Sequence, residues 1–103
     1  MKTPDGKHEL VKGMGGTLVI GSDRYSYTVV DFSASGKTLS VQEDRTVPAK
    51  GFDYYKNQTY DITPDPTSKV EHVRWSKKRG RYQHDGHFGF YPGERDHHVD
   101  PDF

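Results

Sequence analysis

The chain has 103 residues, with 15 cationic and 15 anionic side chains, 30% hydrophobic residues and no cysteine. That length makes one domain with a small core, and the missing thiols exclude disulfide staples and thiolate metal sites and fit a reducing cytoplasm. No apolar run approaches the length of a membrane span and the first residues lack the apolar core of a signal peptide, so no membrane partner is expected.

Residues 1–12 are read as a loosely held N-terminal extension. "GTLVIG" is the first strand. "RYSYTVVDF" is β-branched and aromatic, which suits a half-buried pleated surface. Between them lies the polar turn Ser22-Asp23-Arg24. In "KTLSVQED", Leu39 and Val41 alternate with polar neighbours, giving one buried and one wet face. Gly36 falls where a tight turn needs positive φ, so Phe32 to Leu39 is predicted to be a hairpin. Residues 46–57, with Pro48 and Gly51, read as a long connection. "QTYDITP" is a further strand stopped by proline. "KVEHVRWS" and "GRYQH" form a second hairpin around "KKRG", and "HFGFYPG" is a last short strand. No window sustains a helical apolar period. Together these elements predict an all-β fold: a small SH3-like antiparallel barrel of five to six short strands over residues 13–93, with a loosely ordered acidic tail at 94–103.

Two resemblances accompany this reading. "GTLVIGSDRYSYTVVDFSASGKTLSVQED" resembles the front half of an SH3-like barrel of the KOW or Tudor kind. Over nearly its whole length the chain also resembles a family of short tailed-bacteriophage proteins. The motifs are Ser-Asp-Arg before a strand, Ser-Gly-Lys-Thr in a turn, Gln-x-Asp, Thr-Tyr near a Pro-rich turn, and an Asp-Pro-x-Phe-like end. This chain carries Tyr25 where that family often has His. The second resemblance implies a cytoplasmic setting in an infected bacterial host, with no settled activity to carry over.

The candidate site residues follow from side-chain chemistry. Arg24 offers a forked, permanently charged donor for phosphate or carboxylate. Tyr25 and Tyr27 offer rings to stack on a base, and Arg45 falls near the same rim. Asp23 is read as the member of the turn that fixes local backbone amides. Tyr54 and Tyr55 lie in the long connection. "RWSKKRGR" sets Arg74, Lys77, Lys78, Arg79 and Arg81 around Trp75, a mixture that suits stacking plus phosphate neutralisation. The tail opposes these with Glu94, Asp96, Asp100 and Asp102, and is expected to meet the basic hairpin of a neighbour in a homo-oligomer. The pairs His84/His87 and His97/His98 match no known metal spacing, so no metal and no cofactor is expected. "SGKT" lacks the upstream glycine of a phosphate loop and is read as a hairpin turn.

No catalytic constellation emerges, so the function expected is binding without turnover. By analogy with phage anti-defence proteins of this size, the first expectation is a sponge for a nucleotide-type immune signal. The alternatives are a nucleic-acid-binding barrel and a module docking on a host or virion protein.

Overall fold

Alternation along the strands builds one shared core. In the computed structural model, which describes residues 1–101, eight strands form: β1 (Gly15–Ile20), β2 (Asp23–Phe32), β3 (Thr38–Glu43), β4 (Arg45–Pro48), β5 (Tyr60–Thr63), β6 (Val70–Ser76), β7 (Arg81–His84) and β8 (Phe88–Pro92). Every second residue of a strand faces inward. Leu18, Tyr27, Val29, Leu39, Val41, Val73, Tyr82 and Phe90 accordingly meet in a single buried cluster. Six strands close as an antiparallel barrel in the order β1-β2-β3-β6-β7-β8, with β8 returning to pair with β1. Closure removes the open sheet edges that a sheet this small would otherwise expose. The register of β2 on β3 shifts between Val29 and Asp31, a bulge that sharpens the bend of the longest strand. Among the described residues there is no helix, and so none long and apolar enough to cross a membrane.

The predicted Phe32–Leu39 hairpin is present, with Gly36 at φ 72° and its N–H donating to the Ser33 carbonyl. The connection over 46–57 differs from a plain loop. Its first residues belong to β4, which pairs with β5 from Arg45↔Thr63 to Pro48↔Tyr60. The two strands make a ribbon separate from the barrel. Pro48, read as a loop marker, sits at the end of a strand that has one partner only, a position where a missing N–H is tolerated.

The ends of the chain are held more closely than expected. Leu10 is 4% exposed and completes the core cluster. Its N–H donates to the Met1 carbonyl, and the Thr3 N–H to the His8 carbonyl. The first dozen residues therefore form a loop anchored by their one buried leucine.

The tail runs back over the outer faces of β1 and β2. Those faces carry small or polar residues, Gly15, Thr17, Ser26 and Thr28, all buried. The Thr17 hydroxyl donates to the Glu94 carbonyl at 2.6 Å and accepts the Asp96 N–H at 3.0 Å. Arg95 lies on Gly15, where a Cβ would come within 2.5 Å of the Arg95 Cγ. Its Nε donates to Asp44 at 3.0 Å, and another guanidinium N–H reaches the Gly13 carbonyl and the Thr28 hydroxyl. Ser26 and Thr28 also donate to Asp44, each at 2.5 Å. Further along, Arg24 and His98 exchange backbone hydrogen bonds, and Gln58 holds both the N–H and the carbonyl of Val99. Among the described residues the tail thus bonds the chain's own barrel and the loop of its ribbon. Asp102, counted among the tail acids, lies outside the described residues.

The Asp44 side chain has no exposed surface, and that of Arg95 is 30% exposed. Removing one partner of such a pair leaves an uncompensated buried charge. Arg95→Ala is expected to destabilise the fold by about 3 kcal/mol, the lower end of the range for buried pairs because Arg95 is partly solvated. Urea denaturation of the variant against wild type measures it.

Candidate functional site

The structure distributes the sequence-predicted residues over three places. At the β1–β2 turn, Arg24 and Tyr25 are adjacent on a strand and so point to opposite faces. Arg24 is exposed, 3.7 Å from Asp96, and its backbone pairs with His98. The Tyr25 hydroxyl donates to Asp23, and burial together with the Asp23 charge pushes that phenol up. Asp23 also accepts the Asp100 N–H at 2.8 Å, so it fixes the tail rather than the amides of its own turn. Tyr27 requires a correction. It is 5% exposed in the core, with its hydroxyl donating to Glu71 at 3.0 Å. Burial, then the Glu71 charge, raises its phenol further still. An inward position on β2 removes this ring from any surface site.

His97 packs edge-on between Tyr25 and Tyr60, at centroid distances of 5.6 and 4.5 Å. It joins the barrel to the ribbon. Its Nδ1 is buried with no hydrogen-bond partner among the described residues, and burial lowers the imidazole below its ordinary value, against the opposing charges of Asp96 and Asp23.

The ribbon holds the second group. Arg45 is exposed at the start of β4, and its charge helps to lower the Asp65 carboxyl, behind the hydrogen bonds from Thr67. Tyr54 and Tyr55 pack edge-on at 5.2 Å in the ribbon's loop, with Tyr55 74% exposed. None of the clefts described below brings these residues to Arg24 or to the basic hairpin.

The β6–β7 hairpin holds the third group. Lys77, Lys78 and Arg79 are exposed and, among the described residues, carry no carboxylate partner. Arg74 alternates with Trp75 and lines a shallow polar groove with His72, His84 and Asp85. Within it, His84 lies between Glu71 at 2.9 Å and Asp85 at 3.4 Å. Among the described residues no group of three or more His, Asp or Glu converges as a metal site.

Trp75 and Arg81 belong to a different cleft, of about 230 Å³, between the N-terminal loop and β6 to β8. Tyr82 and Phe90 form its floor and Trp75 and Tyr91 its walls, with Asp5, Lys7, His8 and Arg81 contributing charge and polarity. Trp75 packs edge-on against Tyr82 at 5.0 Å, and the Tyr82 hydroxyl, pushed up to about 12 by burial, donates to the Gly36 carbonyl. Arg81 donates to the Tyr91 hydroxyl at 3.2 Å and the His87 carbonyl at 3.3 Å, and its buried Nε–H has no partner among the described residues. Asp5 is oriented by the Thr3 hydroxyl at 2.6 Å and the Lys7 N–H at 3.1 Å. The Thr3 hydrogen bond is the main reason its carboxyl is lowered. A second cleft of about 350 Å³ lies beside it, lined by Pro4, Lys37, Trp75 and Lys77.

Lys7, His8, Lys37 and Tyr91 were not singled out by the sequence. Only Leu10, next to Val11 in a mostly polar dozen, marks the N-terminal segment as docked, and with it Lys7 and His8. Comparison of the chain with protein-family models, with curated proteins and with solved structures finds no match.

The clasp around His97 has a pH signature. With its folded value lowered, the unfolded chain binds more protons as pH falls through the ordinary imidazole value of 6.5. Stability therefore drops as the solution is acidified below that point. The melting temperature of wild type should fall between pH 7.5 and 5.5, and the fall should be smaller in His97→Gln.

Proposed function

We propose that the protein binds an anionic, nucleotide-type molecule at the Trp75 cleft and acts by holding it without turnover. The observation that carries this reading is an Arg81 Nε–H that, among the described residues, has no partner, in a cleft lined by Trp75, Tyr91 and Lys7. A planar base stacked on an aromatic wall gains about 1–3 kcal/mol. A phosphate at a guanidinium adds a charge-assisted hydrogen bond of about 1.5–3 kcal/mol. At about 230 Å³ the cleft matches one ring with its phosphate at the rim. It is below the ~300–1,000 Å³ usual for drug-sized ligands.

The resemblance to short tailed-phage proteins gives sequestration a setting. A homo-oligomeric sponge in the cytoplasm of an infected bacterium would remove a nucleotide immune signal, needing no cofactor. One observation favours a second reading, a nucleic-acid surface: the exposed Lys77, Lys78 and Arg79 stand in the turn next to the cleft. Counterion release separates the two, since polynucleotide binding collapses with salt and mononucleotide binding does not.

Trp75 is the chain's only tryptophan, so its fluorescence reports directly on the cleft. Titration with nucleoside monophosphates is expected to change that emission, with Arg81→Ala weakening binding roughly tenfold or more. Lys7→Ala, on an exposed side chain, should weaken it several-fold without altering the melting temperature. No response to any nucleoside monophosphate at millimolar concentration would remove the proposal.

A further inference from the structure

The cleft beside the proposed site is not used by a single nucleotide. Among the described residues, Trp75 alone lines both clefts. The N-terminal loop divides them with it, since Thr3 and Asp5 line the first and Pro4 the second. Two cations, Lys37 and Lys77, flank the second cleft, and among the described residues neither has a carboxylate partner. The Lys37 backbone is tied to β6, its carbonyl accepting the Trp75 N–H at 2.7 Å. The Pro4 ring and the indole add apolar surface to the same lining, and an anion held in this cleft would meet both cations.

We infer that the ligand spans Trp75 and carries two nucleotide units, one in each cleft. This rests on the reading of the first cleft as a nucleotide site. The first unit lies in the aromatic cleft toward Arg81. The second lies over Pro4 and Trp75, with its phosphate between Lys37 and Lys77. The two clefts hold about 230 and about 350 Å³, each of the size read above for one unit, so the length read is two units.

The experiment compares a 5′-phosphorylated diadenylate with 5′-AMP on the full chain, followed by Trp75 fluorescence and calorimetry. The dinucleotide is expected to bind roughly tenfold or more tightly, the gain of one further stacked base. The double variant Lys37→Ala/Lys77→Ala should erase that advantage while AMP affinity and melting temperature stay as in wild type. A trinucleotide should bind no tighter than the dinucleotide. If AMP binds and the dinucleotide binds no better, the two-unit ligand is wrong while the first cleft stands. Affinity that keeps rising with length also overturns it and assigns the surface to polynucleotide. If neither probe binds, both readings fall.

Discussion

Asp44 directly follows the third barrel strand, with its carboxylate wholly removed from water. Taking a carboxylate out of water costs several kcal/mol unless it is matched by charge and hydrogen bonds. Ser26 and Thr28 from β2 and Arg95 from the tail supply that match. Much of the molecule's unusual construction follows. β2 must bury both faces, Tyr27 and Val29 inward and Ser26 and Thr28 outward. Gly15 must lack a side chain so that Arg95 can lie flat across β1. The tail must be ordered, and once it is ordered, His97 and Val99 carry the tie outward to the ribbon.

Most of the barrel was legible because its signal is local. Leu39 and Val41 alternate with polar residues, and Gly36 stands where the turn needs positive φ. Aromatic and β-branched residues mark β2 and β8. The ribbon was not legible as a unit, because β4 is short and ends in Pro48, and because its partner β5 follows a loop rich in turn residues. The contacts of the tail were not legible for a different reason. Acidic and histidine-rich composition is the usual mark of a solvated end, and Arg95 gives no local sign that a carboxylate 51 residues earlier awaits it. Buried Thr17, Ser26 and Thr28 look like wet-face residues, since hydroxyls alternate in strands for that purpose far more often than to seat a returning chain.

The site was half legible for the same reason. Trp75 and the cations of the 74–81 hairpin are contiguous in sequence and could be read together. Lys7, His8, Lys37 and Tyr91 come from three other segments and converge only because β1 closes against β8 and the N-terminal loop docks through Leu10. Arg24 and Tyr25 show the converse error. Neighbours in sequence were read as one clamp, whereas the strand's two-residue period sends them to opposite faces. There they serve the tail, one through Asp96 and one through His97.

The closure of the barrel also has a meaning in time. β1 pairs with β2, its neighbour in the chain, and with β8, which is translated last among the strands. At about 5–20 residues per second, β1 waits several seconds on the ribosome with one ladder of N–H and C=O groups unpaired. During that interval the edge that will later face β8 is an open template for another strand. Gly15 and Gly16, which seat Arg95 and Phe90 in the finished barrel, are poor strand formers on their own. The same two residues that admit the late-arriving side chains also weaken premature pairing, so the nascent strand is kept for its partner at the far end of the chain.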